Sequence, residues 1–146
     1  MSDEVVPPQL ALISEDFHSM EQRDRLQLLL EYANELPALP ERYREDPTLL
    51  ERVEECQSPV FIFVDVDDVS RVHVFATAPA EAPTTRGFAS ILVQGLDGLS
   101  TSEVLATPGD FPQTLGLTAL VSPLRIRGMT AMLARIKRQV RERIAG

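Results

Sequence analysis

The sequence predicts an α+β fold, a small antiparallel β-sheet packed against helices. Two observations carry this expectation. Apolar residues recur at helical spacing near both ends of the chain, and two short alternating segments lie side by side in its middle. The residues between those segments, "DVDDVSR", are enough for a hairpin and too few for a crossover, so the strands pair antiparallel.

Taken in order, residues 1–8 read as a loose tail. "PQLALISEDFHSM" follows as a first helix with Leu10, Ile13 and Phe17 on one face. Ser19 and Gln22 have the spacing of a capping box for a second helix, whose core stripe is Leu26, Leu29, Leu30 and Ala33. Pro37 and Pro40 end it. "ALPERYREDPTLLER" reads as a long connection with one helical turn. Val60, Ile62, Val64 and Val66 then alternate with Phe61 and Phe63, a strand apolar on both faces at its start, and Arg71 to Thr77 return as its partner. A helix opens at "RGFASILVQGL", with Phe88, Ile91, Leu92 and Gly95 on one side. Ser100 and Glu103 cap a short one, and "PGDFPQTLGL" is a loop with a turn of helix. Ser122-Pro123 begins the last helix, with Ser as N-cap and Pro at the first position, where its missing N–H costs nothing. Its stripe is Met129, Met132, Leu133, Ile136, Val140 and Ile144. We expect one domain over residues 1–146, a length at which roughly two-thirds of the unfolded surface is buried.

Composition narrows the function. A net charge of −8 opposes general affinity for nucleic acid, which an acidic surface repels. The charge is uneven: residues 123–146 hold 7 bases against the single acid Glu142, while residues 1–122 hold 21 acids against 7 bases. The basic end is either a solvated helix face or a surface for a protein partner. No apolar run approaches the roughly 18 residues of a membrane span, and the acidic N-terminus is unlike a signal peptide. These features predict a cytoplasmic protein without membrane contact, in which a lone thiol stays reduced.

That thiol, Cys56, is the only cysteine of the chain, so no internal disulfide or cysteine cluster is available. It lies just outside the apolar strand, after Glu54 and Glu55. Two like charges disfavour a thiolate, so self-activated nucleophilic catalysis is not what this neighbourhood favours. A presented thiol and a buried, inert one both remain open, because free cysteine is among the most buried residue types. A Cys56–His73 dyad is a further option if strand pairing joins the two. No oxyanion motif accompanies it, and His73 is read more simply as an incidental strand histidine. Two isolated histidines and one cysteine lack ligand spacing, so no metal site is expected. "RGFASILVQG" has neither phosphate-binding pattern, so it is no phosphate loop, and Gly87 is read as a close-packing position. Arg125 and Arg127 stand at the positive end of the last helix. That place is unfavourable for a cation unless an anion or partner faces it.

Taken together, "ECQSPVFI", "RGFASILV" and "LTALVSPLRIRGMTAMLARIK" resemble the SufE family of sulfur-acceptor proteins, with similarity from about residue 10 to 144. "LLLEYANELPALP" is similar to the family's early helix ending in Leu-Pro. The resemblance implies a SufE/IscU-like fold. It implies a carrier, not an enzyme: Cys56 takes persulfide sulfur from a pyridoxal-phosphate cysteine desulfurase (SufS-like), stimulates its turnover and delivers the sulfur to an iron–sulfur scaffold (SufBCD-like). By match of motif, Gln57 and Ser58 shape the cysteine loop, Arg86 and Arg125 are the basic positions beside it, and Gly87 and Gly128 serve packing. The chain departs from the family pattern at Glu55, where Gly is common, which removes backbone freedom next to the thiol. It also has Phe61 where Trp is common, and Pro59 stiffens the loop exit. The residue-level alternatives are a thiol enzyme using Cys56 and His73 and a non-catalytic interaction module.

Overall fold

The computed structural model describes residues 4–145. Along the chain run α1 (Pro8–His18), α2 (Gln22–Asn34), α3 (Glu41–Glu45), β1 (Glu51–Arg52), β2 (Phe61–Val66), β3 (Val72–Thr77), α4 (Pro83–Leu96), α5 (Thr101–Leu105) and α6 (Pro123–Ala145). Single 3-10 turns lie at Pro47–Leu49 and Phe111–Thr114. The sheet order is β1-β2-β3, antiparallel throughout, so the α+β architecture is as the residue pattern predicts.

The alternation in β2 and β3 sorts side chains onto two faces. Ile62, Val64, Val72, Val74 and Ala76 are buried on the inner face, over which α4 and α6 pack. On the outer face Phe63 stands opposite Phe75. Tyr43 of α3 is buried against both rings, at centroid distances of 4.9 Å and 4.7 Å. The guanidinium of Arg143, from α6, lies 5.0 Å from the Phe63 ring centre. The connection holds its expected helical turn as α3, which covers the outer face, and it also contributes β1 as a third strand. Two polar residues, Glu51 and Arg52, make up that strand, too few to display an alternation.

Helix α4 is buried on nearly every side, between α1, α2, β3 and α6. Gly87 lets α2 approach: a Cβ there would lie 2.5 Å from the Leu29 carbonyl oxygen. Gly95 does the same for α1, since a Cβ would collide with Leu10. The helix begins at Pro83, earlier than the expected Arg86, with proline again in the first turn. Lys137 of α6 donates to the Thr107 carbonyl at 2.7 Å and ties the loop after α5 to the last helix.

Several local expectations need correction. Ser19 does not cap α2; it closes α1, and its Oγ donates to the Asp16 carbonyl at 2.8 Å. Helix α2 starts at Gln22 without a side-chain cap, while Arg25 Nε bonds the Phe17 carbonyl at 2.9 Å and the Met20 carbonyl at 3.2 Å across the reversal. The other two caps form: Ser100 and Glu103 make the reciprocal box, and the Arg125 N–H lies 3.4 Å from Ser122 Oγ. Leu26 and Ile144 fall outside the core at 37 % and 55 % exposure. Arg71 precedes β3 and bridges to Ser100. Of the tail expected at residues 1–8, residues 1–3 lie outside the described residues, the Val5 N–H donates to the Ala106 carbonyl at 2.8 Å, and Pro8 already starts α1.

The β2–β3 turn is organised by Asp67. Its Oδ1 accepts from the Val69 and Arg71 amides at 3.0 Å and 2.9 Å, and its Oδ2 meets His73 Nε2 at 2.8 Å. The bond to His73 holds the Asp67 carboxyl below its ordinary value and raises the imidazole above its own. A raised folded value means that the clasp contributes fully below the unfolded histidine value, near ~6.5, and is lost as pH rises through the folded one. On the acid side, the depressed Asp67 contributes above its unfolded value and is lost as pH falls through its folded one.

Two outcomes are expected. Alanine at a helix interior ordinarily gains about 1 kcal/mol over glycine. Gly87→Ala should instead destabilise by roughly 1–3 kcal/mol, because the added methyl meets backbone; denaturant unfolding measures this. In an NMR titration, His73 should have a midpoint above that of a free histidine, and Asp67→Asn should bring it down.

Candidate functional site

Pairing of β1 with β2 turns the cysteine segment into a hairpin loop. The Val53 N–H donates to the Val60 carbonyl at 2.9 Å, and both valines are fully buried, so the two legs of the loop are fixed in the core. The Cys56 N–H donates back to the Val53 carbonyl at 3.1 Å, closing a tight turn over residues 53–56. Glu54, Glu55 and Gln57 project to solvent while Cys56 points inward, 7 % exposed.

The thiol belongs to the buried core cluster and also borders open space. It faces a cavity of about 130 Å³, lined in part by Gln57, Ser58, Thr85, Ser122 and Arg125. That is space for on the order of four waters. Across the cavity α6 runs past with Gly128: a Cβ at this position would stand 3.0 Å from Cys56 Sγ. A helix-interior glycine costs about 1 kcal/mol relative to alanine. Here it brings the helix backbone close to the sulfur without filling the cavity. Gly128 is thus a neighbour of the thiol, more than the helix-packing position expected.

Of the residues singled out in the sequence, Gln57, Ser58 and Arg125 converge with Cys56. Arg86 does not. Its Nε donates to the Ala33 carbonyl at 2.8 Å and its Nη1 to the Ala78 carbonyl at 2.6 Å, so it ties α4 to the end of α2 and to the chain after β3. Arg127 faces a different groove, with Gln113 and Thr118. The Cys56–His73 dyad is ruled out by the register. Phe61 pairs with Thr77 and Asp65 with His73, which puts the histidine four rungs, roughly 13 Å, up the sheet from the cysteine end. His73 is held there by Asp67, with Asp97 at 3.7 Å from its Nδ1.

One basic residue beside the cysteine loop was missed. Arg135, two turns along α6 from Gly128, pairs through Nη1 with Glu55 Oε1 at 2.7 Å. Its position was legible as a break in an apolar face, because Gly128, Met132, Arg135 and Gln139 share one side of the helix. The thiol feels both members of the pair. Burial pushes the Cys56 pKa up, the Glu55 charge pushes it further, and Arg135 opposes them without reversing the result. At rest this is a protonated, sheltered thiol.

Comparison with known proteins identifies the family. The model of the SufE family, described as the Fe-S metabolism associated domain, matches residues 11–140. The chain belongs to the SufE family. Membership in SufE places it in iron–sulfur metabolism. A SufE-like protein of Mycobacterium tuberculosis is 57 % identical over 137 residues, 94 % of each chain. A SufE-like protein of the cyanobacterium Synechocystis is 30 % identical over 129 residues, 88 % of this chain and 77 % of its own. A solution structure of a hypothetical protein from Thermus thermophilus superposes with a TM-score of 0.84 at 40 % identity, covering 97 % of this chain and all of that one. Among the described residues of this SufE protein, no helix is long and apolar enough to cross a membrane.

The close approach at Gly128 gives a direct test. Gly128→Ala should leave unfolding stability within about 1 kcal/mol, because the helical gain offsets the crowding. It should also displace the sulfur toward solvent, seen as faster alkylation of Cys56 in the native protein.

Proposed function

We propose that this SufE protein is a sulfur carrier: it accepts persulfide sulfur from a PLP-dependent cysteine desulfurase on Cys56, stimulates that enzyme's turnover and passes the sulfur to the scaffold of iron–sulfur assembly. The observation that carries the reading is the polar-lined cavity in front of a buried thiol. A cysteine kept for packing would be surrounded by apolar atoms. This one looks into space lined by Gln57, Ser58 and Arg125, with room for an added atom.

The transfer is a thiol substitution of the same class as thiol–disulfide exchange. The Cys56 thiolate attacks the outer sulfur of the donor's Cys–S–SH. A bond forms between Cys56 Sγ and that sulfur, the donor's own sulfur leaves as thiolate, and the proton lost by Cys56 returns to it. The step is redox-neutral and needs no cofactor on this chain. The resting thiol reacts poorly because it is protonated, so the docked partner has to supply the activation. Once formed, an anionic persulfide in the cavity has Arg125 on the cavity wall and the N-terminal end of α6 close by as sources of positive charge. Gln57 and Ser58 add polar contacts on the loop side. The partners that suit this role are a SufS-like desulfurase and a SufBCD-like scaffold, and the setting is the cytoplasm. Arg86 supports the site at a distance, by bracing α4 under the loop.

Intact mass after incubation with a cysteine desulfurase and L-cysteine tests the proposal. The expected result is a gain of one sulfur atom, reversed by reductant and absent in Cys56→Ser, with stimulation of the desulfurase lost in the same variant. Undiminished stimulation by Cys56→Ser would refute it.

A further inference from the structure

The ion pair between Glu55 and Arg135 has no part in the chemistry just described, yet it joins the residue next to the thiol to the helix that roofs it. Among the described residues, Arg135 has one ion-pair partner besides Glu55, namely Glu51. Its Nε lies 3.2 Å from Glu51 Oε2 but is buried without a hydrogen bond, and its Nη1 is 3.5 Å from the Ala131 carbonyl. Glu51 is already served by others: Arg138 hydrogen-bonds both of its oxygens, and Gln139 Nε2 donates to Oε1 at 3.0 Å. Glu51 and its partners thus fix the base of the hairpin. Arg135 reaches past the base to the loop.

We propose that Arg135 is a positioning residue for the cysteine loop: through Glu55 it latches the β1–β2 loop to α6, and the latch must open before Cys56 can leave its cavity. The link to sulfur transfer rests on the function proposed above; the latch itself does not. Among the described residues, the loop has no other ion pair to α6. Its legs are anchored at Val53 and Val60, and between them the described backbone hydrogen bond is the one from Cys56 to Val53. Movement of residues 54–59 about those anchors therefore breaks one ion pair and one hydrogen bond. Arg135 is 18 % exposed and Glu55 42 %, so the pair is partly screened and is weak enough to open.

Native-state alkylation of Cys56 by iodoacetamide measures the latch without any partner protein. The variants are Glu55→Gln, Arg135→Gln, the double variant, and Arg135→Lys as the conservative control. If the latch holds the loop, both single variants react roughly 2- to 5-fold faster, the range set by opening such an ion pair. The double variant should match the singles, and Arg135→Lys should return most of the way to the parent rate. A pure charge effect gives a different pattern, since removing Glu55's charge favours the thiolate and removing Arg135's disfavours it. Opposite signs in the two variants, or unchanged rates in both, overturn the latch. Glu55 is exposed, so Glu55→Gln keeps the test valid if Arg135→Gln unfolds. Absence of sulfur gain on the parent protein would overturn the carrier reading alone, because the alkylation comparison uses no desulfurase.

Discussion

Strand β1 ends after two residues and leaves the amide and carbonyl of Val64, on the central strand, facing no neighbouring strand. An unpaired buried amide costs roughly 1–3 kcal/mol, so something has to answer it. The side chain of Gln139, 3 % exposed, does: its Oε1 accepts the Val64 N–H at 2.8 Å, while its Nε2 donates to Glu51. Arg143 Nε then donates to the Val64 carbonyl at 3.0 Å. Two side chains of α6 stand in for the missing length of β1. That sets the helix's rotation and its height along the sheet.

The thiol site follows from that docking. Gly128 and Arg135 lie on the same face as Gln139, so the bonds that close the sheet edge also bring a bare stretch of helix backbone over Cys56 and a guanidinium beside its loop. Protection and reactivity are opposed here. Burial and the Glu55 carboxylate keep the sulfur protonated, and the same enclosure leaves a polar cavity in front of it. At rest the fold holds a protonated thiol and a polar space side by side.

Much of the fold was legible in the sequence because the signals were periodic. The strands around Ile62 and Val74, the Ser100 box and the long stripe of α6 depend on local spacing that tertiary contacts reinforce. What escaped was whatever depended on a single contact. Tyr43 covers the outer sheet face from a five-residue helix, β1 shows no alternation, and Ser19 had the right spacing for a cap but was taken up by the end of the preceding helix. At the site, Gln57, Ser58 and Arg125 sit within short motifs, and in the fold they line one cavity with Cys56. Arg86 stands in a motif too, but two carbonyls hold its guanidinium outside that cavity. Arg135 lay within a helix read for its apolar stripe, where a single arginine looks like solvated surface.

The roof over Cys56 is contributed by residues far later in the chain than the cysteine itself. A ribosome adds roughly 5–20 residues per second. The hairpin carrying the thiol is therefore made several seconds before Gly128 exists to cover it. Until then the sulfur lacks the shelter that α6 gives it. The sheltered state is a late product of synthesis, completed only when α6 docks and Gln139 finds the open edge of β2.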